Sequence, residues 1–209
     1  MSQRAAKRNR NRRKNFESIK SPNWRPTFYN YGRKNQPIRA AGILYYRQDL
    51  DRSIHFLMQR KYYSDWNEKT PNGCPDHFWE DLGGKTDKYD RHIKDTVARE
   101  CAEETNFLIR GRSTLPKLDY KKSIYLKGSK YLLFVAESPI NYKTQLFGNR
   151  EDSHGVEQSI PRTIEWVPEK YIYLHKHMHP RLRYRKMQNI MSKMMHKVKF
   201  QAALKELAA

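Results

Sequence analysis

The stretch from residue 83 to residue 107 constrains the fold more than any other part of this chain. In a helix over 91–106, Glu100, Glu103 and Glu104 lie at positions i, i+3 and i+4. That spacing puts three carboxylates on one helical face, within about one turn. Like charges so close together repel, and carboxylate oxygens are the ligands that hard divalent cations prefer. The stretch therefore predicts a site for Mg²⁺ or Mn²⁺.

The residues before this helix strengthen that prediction. Gly83 and Gly84 allow the backbone to pass where a side chain would block it, and a strand-like run over 78–82 leads into them. Acidic runs on helices are usually solvated faces, but this one follows a strand and two glycines in an otherwise strongly basic chain. A cation held here could bind phosphate oxygens and activate water.

The stretch resembles a Nudix box, the signature of a family of hydrolases, whose pattern is G-x5-E-x7-R-E-U-x-E-E-x-G-U with U aliphatic. The matching positions are Gly84, Arg99, Glu100, Cys101, Glu103, Glu104 and Phe107. Asp90 takes the place of the upstream glutamate, with eight residues instead of seven before Arg99, and Asn106 replaces the late glycine. Asn also enters the left-handed region, so that replacement is tolerable. Downstream, 166–168 reads W-V-P, which resembles a segment usual in the family.

The resemblance implies a Nudix-like α/β/α sandwich with a mixed central β-sheet. The charge distribution and the C-terminal apolar periodicity add a basic N-terminal extension and a long C-terminal helix. The expected segments are the extension over 1–37, the hydrolase domain over 38–178, and over 179–209 an amphipathic basic helix that packs on the domain. The hydrophobic patterns predict strands over 38–47, 55–62, 78–82, 123–126 and 131–137.

Two helices carry the remaining apolar patterns. In the first, Ile93 and Cys101 lie on the face expected to meet the core, and the helix is expected to begin at Asp90 or Arg91. The second is expected to begin at Pro180 and carries a methionine-rich stripe. Core packing is the ordinary interpretation of that stripe, and a groove for a partner is the alternative.

The resemblance also implies roles for individual residues. Glu100, Glu103 and Glu104 are expected to be catalytic and to hold two or more Mg²⁺ or Mn²⁺ ions. Arg99 is expected to orient a box carboxylate through a bidentate pair, with a purely structural salt bridge as the alternative, and Asp90 is a second orienting residue.

Further roles follow for the neighbouring segments. Gly83 and Gly84 are expected to form a loop at the floor of the site, with Lys85 near a phosphate. In the long polar connection over 138–163, Glu157 is the first candidate for a base or an additional metal ligand. Glu151 and then His154 are the alternatives.

Positive charge is concentrated at the two ends. The net charge is +20, of which residues 1–38 contribute +10 and residues 179–209 contribute +7. This distribution predicts a polyanionic partner larger than a nucleotide, namely RNA. The residues expected to contact its phosphates are Arg8, Arg10, Arg12, Arg13, Lys14, Arg181, Arg183 and Arg185. For the N-terminal run, nuclear targeting and a solubilising tail are alternatives, and the aromatic residues over 21–38 are expected either to stack on bases or to pack on the domain.

Cysteine content and hydropathy limit the compartment. Two cysteines are too few for a disulfide framework, and Cys101 is expected to be a buried thiol. No segment is apolar enough to span a bilayer, and the N-terminus lacks the apolar core of a signal peptide. These features favour a reducing compartment, cytoplasmic with a nuclear alternative, and no membrane. Oligomeric state stays open.

The basic ends, taken with the resemblance, favour hydrolysis of the 5′ cap of RNA, in the manner of the Nudix decapping enzymes of cells and large DNA viruses. One alternative is a hydrolase of a small polyanion, such as a diphosphoinositol polyphosphate or a nucleoside diphosphate derivative. The other is an RNA-binding protein whose Nudix fold is not catalytic.

Overall fold

The computed structural model of the protein describes residues 24–30, 35–63, 72–73, 75–139, 150–151, 157–158, 163–183 and 185–207. Its strands are β1 (Phe28–Asn30), β2 (Gln36–Ile38), β3 (Ala40–Gln48), β4 (Ile54–Tyr62), β5 (His77–Glu80), β6 (Leu82–Lys85), β7 (Ser123–Leu126), β8 (Tyr131–Glu137), β9 (Arg150–Glu151), β10 (Glu157–Gln158) and β11 (Thr163–Pro168). Its α-helices are α1 (Ile93–Glu104), α2 (Gly111–Thr114), α3 (Glu169–Ile172) and α4 (Arg185–Leu207). Turns of 3-10 helix occupy Leu115–Lys117, Tyr120–Lys122, His175–His177 and Pro180–Leu182. Among these helices, none combines the length and the apolar character needed to cross a membrane.

The main sheet has seven strands with β3 at its centre. Strand β3 pairs in parallel with β8 and antiparallel with β4 and β6. Strands β11 and β5 pair with β4, and the predicted strands β7 and β8 pair antiparallel as a hairpin. Because parallel and antiparallel pairs occur in one sheet, the predicted mixed α/β architecture is confirmed.

The two faces of this sheet carry separate cores. Side chains alternate along β3, so Ile43 lies in one core and Leu44 in the other. Helix α1 covers the Ile43 face and contributes Cys101, while α4 covers the Leu44 face and contributes Met191 and Met195. The sheet therefore lies between two helical layers.

The methionine stripe of α4 is core packing, as predicted. Met191 and Met195 are fully buried, and Ile190, Met194 and Val198 pack around them. Burying one such side chain contributes roughly 1.5–3 kcal/mol relative to leaving it exposed. The alternative of a partner groove is wrong for these methionines, because the sheet already covers them.

Cys101 is a buried thiol, as expected, on the opposite face of the sheet. Burial raises the pKa of this thiol to about 12. It is therefore protonated and unreactive at neutral pH.

The strand predicted over 78–82 is in fact two strands with different partners. Strand β5 pairs with the end of β4, whereas β6 pairs with the start of β3, and the change occurs at Asp81. Strands β3 and β4 pair with each other over 45–48 and 54–57, so β5 and β6 fill the space where they diverge. Gly83 and Gly84 consequently lie inside a strand, and the predicted glycine loop is wrong.

Both helices begin later than the sequence predicts. Helix α1 begins at Ile93, because Asp90 is used to hold the preceding loop and His92 caps the helix by accepting a hydrogen bond from the Lys94 amide. Pro180 opens a turn of 3-10 helix, and α4 begins at Arg185.

The end of α1 follows the expectation for the asparagine. Asn106, in the place of the late glycine, adopts a left-handed φ of 48°. Phe107, which occupies an aliphatic place in the box pattern, is 53% exposed.

Candidate metal centre

One guanidinium organises the acidic turn of α1. Arg99 Nη1 donates to Glu100 Oε1 at 2.8 Å and to Glu103 Oε2 at 3.3 Å. Its Nη2 donates to the Lys85 carbonyl at 3.0 Å, at the end of β6. Burial alone would lower the pKa of Arg99, but Glu100 and Asp90 outweigh it and raise that pKa. The side chain is therefore a permanent cation between carboxylates of helix and loop.

Asp90 ties the loop that follows β6 to the helix. Arg99 Nε lies 3.3 Å from Asp90 Oδ1, and Nη2 lies 3.2 Å from Oδ2, so the pair is bidentate. The same carboxylate accepts hydrogen bonds from the Asp87 amide and from Thr96 Oγ1, both at 2.7 Å. A turn over 87–90, closed by a bond from the Asp90 amide to the Asp87 carbonyl, holds Asp90 in place just before the helix. The shorter acid thus reaches the arginine despite the altered spacing.

The two glycines of β6 lie in close contact with two carboxylates of α1. The Gly83 amide donates to Glu104 Oε2 at 2.7 Å, and Glu104 is buried. A Cβ on Gly84 would overlap the carboxylate of Glu100. A side chain at 84 would therefore displace the Glu100 carboxylate from the strand surface.

The donor set suits a hard divalent cation in its chemistry, because all three side chains offer carboxylate oxygens. Arg99 Nη1 lies within hydrogen-bonding distance of both Glu100 and Glu103, so a positive charge is already accommodated between them. In the described part of the chain, however, no group of three or more His, Cys, Asp and Glu side chains converges on one point as metal ligands do. Metal binding would therefore require these carboxylates to turn from Arg99 and from the Gly83 amide.

The remaining predicted site residues are placed less completely. Lys85 is exposed at the end of β6, beside the Arg99 contact. Glu157 in β10 pairs through its backbone with Glu151 in β9. His154 lies outside the described residues, as do the five basic residues predicted over 8–14.

Two of the predicted RNA contacts at the C-terminal end belong to the interior instead. Arg181 Nε donates to Asp81 Oδ1 at 2.9 Å, and Nη2 lies 3.2 Å from Glu80 Oε2. Arg183 donates to the Met178 carbonyl at 2.5 Å and to Tyr63 Oη at 3.2 Å. Arg181 is therefore a structural residue here, and half-buried Arg183 uses its Nε and Nη2 donors within the protein. Arg185 is the first residue of α4.

The cluster around Arg181 lies on the other face of the glycines. Tyr131 Oη donates to Asp81, and its ring lies under Arg181, with the guanidinium carbon 4.6 Å from the ring centroid. A Cβ on Gly42 or Gly83 would overlap Tyr131 Oη. The glycines are thus enclosed between two polar clusters, one on each face of the sheet.

Buried charges in this second cluster compensate one another. Burial would raise the pKa of Glu80, but Arg181 and Lys61 outweigh it, and the pKa is lowered. Burial and Arg181 lower the pKa of His179 to about 4. Sequence reasoning missed this cluster, because its members are separated by up to 100 residues. The one local signal was an acidic pair, Glu80-Asp81, inside an apolar strand.

Comparisons with known proteins leave the family unassigned. No family model matches the chain, and no curated protein matches it. Among solved structures, the chain is similar to a Nudix hydrolase from M. smegmatis, RenU, with 11% sequence identity and a TM-score of 0.38. The similarity covers 80% of this chain and 96% of that one. At that identity and score it supports no assignment of fold, activity or substrate.

Proposed function

We propose that this chain is a Nudix-type hydrolase that cleaves a phosphoanhydride with Mg²⁺ or Mn²⁺ bound, and that its substrate is the 5′ cap of RNA. The observation that carries the proposal is the cluster at Arg99. There Glu100, Glu103 and Asp90, which occupy positions of the box pattern, contact one guanidinium beside a glycine strand. A solvated acidic helix face would not be buried against a strand in this way.

The residues of the cluster have different proposed roles. A divalent ion held by Glu100, Glu103 and Glu104 would neutralise the pyrophosphate and lower the pKa of a bound water. Arg99 holds the carboxylates and the end of β6 together, so the acidic turn and the strand keep a fixed separation.

Three further residues complete the proposed chemistry. Gly84 leaves the space that the Glu100 carboxylate occupies. Lys85 places an exposed positive charge at the edge of the cluster, where a phosphate would approach. Glu157 is our candidate for the group that accepts the proton of the attacking water.

The basic charge of the chain supports a substrate that extends beyond a nucleotide. A net charge of +20 exceeds what binding one nucleotide would require, whereas RNA carries a phosphate on every nucleotide. A hydrolase of small polyanions would need a basic pocket but not basic ends.

The test is turnover of cap-labelled RNA by the full chain, with the released nucleotide identified by mass. We expect a 7-methylguanosine diphosphate type of product that requires Mg²⁺ or Mn²⁺ and is lost in Glu103→Gln. Glu137→Gln is the matched control, because Glu137 is an exposed carboxylate at the end of β8.

Other outcomes would change the assignment. If free nucleoside diphosphate derivatives or diphosphoinositol polyphosphates are cleaved as fast as capped RNA or faster, the substrate is that small polyanion and not RNA. No turnover by the parent chain on any of these would leave an RNA-binding protein without activity.

A further inference from the structure

An exposed basic surface borders the box loop, and it differs from the basic residues that the sequence singled out. Its members are Arg25, Tyr29, Arg39, Lys88, Tyr89 and Arg91, all exposed. We call this set the basic track. We propose that the basic track binds single-stranded RNA, and the proposal rests on the RNA substrate inferred above.

The N-terminal segment over 24–30 is fixed to the box loop by specific contacts. Arg25 Nη1 donates to the Thr86 carbonyl at 3.4 Å, and Thr86 Oγ1 donates to the Pro26 carbonyl at 2.7 Å. The Thr86 amide donates to the Arg39 carbonyl at 3.0 Å, and Arg39 Nε donates to Thr27 Oγ1 at 3.2 Å. Arg25 and Arg39 are thereby held on either side of Thr86, immediately after Lys85.

Aromatic residues on this segment divide between packing and exposure. Phe28 packs against the α1-side core, with its ring 6.3 Å from that of His92. Tyr29, the next residue, is 50% exposed, and Tyr89 on the box loop is 69% exposed. Lys88 Nζ lies 4.9 Å from the centroid of the Tyr89 ring. Exposed rings beside cations are the elements that bind single-stranded nucleic acid, because bases stack and phosphates pair.

The four cations of the track outnumber the two nearby carboxylates outside the Asp90–Arg99 pair, Asp87 and Asp95, so the surface keeps a net positive charge. Asp90 is buried against Arg99, and Asp87 Oδ1 accepts a hydrogen bond from the Tyr89 amide. Asp95 lies 3.5 Å from Arg91, whose side chain is 90% exposed. Surface pairs of this kind contribute little, so a phosphate can replace Asp95 as the partner of Arg91.

The track leads directly to the proposed catalytic cluster. Lys88 and Tyr89 lie within the segment that Arg99 holds through the Lys85 carbonyl and Asp90, and Arg91 follows directly after it. RNA bound along the track would therefore pass beside the carboxylates, where the proposed function requires its capped end.

The experiment measures the affinity of the full chain for an uncapped single-stranded RNA of about 20 nucleotides over a range of salt concentrations. For single-stranded RNA, each phosphate contact makes the slope of log affinity against log salt more negative by about 0.7. Lys88→Ala with Arg91→Ala should therefore reduce that slope by roughly 1.4 and weaken binding at low salt. Tyr89→Ala should weaken binding by roughly 5- to 150-fold if one base stacks on it.

Two controls make the result specific. Lys193→Ala with Lys197→Ala removes the same charge from the exposed side of α4 and should leave the slope unchanged. Inorganic polyphosphate, which has charge but no bases, should lose affinity with the Lys88/Arg91 variant and not with Tyr89→Ala.

The outcomes separate this inference from the proposed function. If the Lys88/Arg91 variant binds RNA with the parent's affinity and salt slope, the basic track does not bind RNA. The same conclusion holds if the α4 control loses as much affinity and slope as that variant, and it holds even if capped RNA is cleaved. If the track variants lose RNA affinity as expected and no capped RNA is cleaved, the track stands and the decapping proposal falls.

Discussion

We expect the loss of the Arg181 charge to destabilise the protein more than the loss of any other buried charge described above. The side chain is 15% exposed and contacts two carboxylates, Asp81 at 2.9 Å and Glu80 at 3.2 Å. Arg181→Met would leave both carboxylates buried without this partner, although Lys61 still faces Glu80. Breaking a buried pair by removing one partner typically costs about 3–5 kcal/mol, so we expect a loss in that range.

The assay is urea denaturation of the parent, Arg181→Met, Asp81→Asn and the double variant, analysed as a double-mutant cycle. Because the two residues are in contact, the cycle should show a coupling of about 0.5–3 kcal/mol rather than additivity. A loss below about 1 kcal/mol for Arg181→Met, or additive effects of the two changes, would refute the buried ion cluster.

Acid provides a second readout of the same cluster. The pKa of Glu80 is lowered in the folded protein, so its contribution is present above the unfolded pKa of about 4.3 and is lost as pH falls through the lower folded value. The parent should lose this stability on acidification below about pH 4. Arg181→Met lacks the contribution at neutral pH, so the difference between the two proteins should shrink in acid.

Three further predictions follow from the packing. Met195→Ala should cost about 2–5 kcal/mol in urea denaturation, because Met195 is fully buried between α4 and the sheet, whereas Lys197→Ala on the exposed side should change stability by less than about 0.5 kcal/mol. Gly84→Ala should displace the Glu100 carboxylate and reduce turnover by at least about tenfold, equivalent to about 1.4 kcal/mol of barrier, and turnover equal to the parent's would show that Glu100 need not lie there. His179 should titrate by NMR with a pKa of about 4 instead of about 6.5, so the unfolded chain binds more protons between these values and stability should fall as pH drops through that window. His179→Gln should remove this part of the pH dependence, and a His179 pKa near 6.5 would contradict its burial beside Arg181.

Local patterns predicted the elements whose signals lie within a few turns of chain. The apolar recurrence of Ile93 and Cys101 predicted the core-facing side of α1, and the apolar runs predicted β3, β4, β7 and β8. The methionine stripe predicted the packing of α4. Each of these depends on the periodicity of one element, which a sequence displays directly.

Contacts between distant segments could not be predicted in this way. Asp81 changes the pairing partner of its strand, and a linear pattern does not show which strand lies alongside. Arg181 looked like a surface cation among other basic residues, because its partners lie 100 positions earlier. The start of α1 was missed for a related reason, since Asp90 bonds the loop and Arg99 rather than capping the helix.

Binding of Mn²⁺ to the full chain, followed by electron paramagnetic resonance or calorimetry, tests the acidic turn most directly. We expect the parent and Glu137→Gln to bind the ion, and Glu103→Gln to bind it at least about tenfold more weakly, a difference of about 1.4 kcal/mol. A parent chain that binds no Mn²⁺, or a Glu103→Gln variant that binds it as tightly as the parent, would contradict a metal centre at this turn.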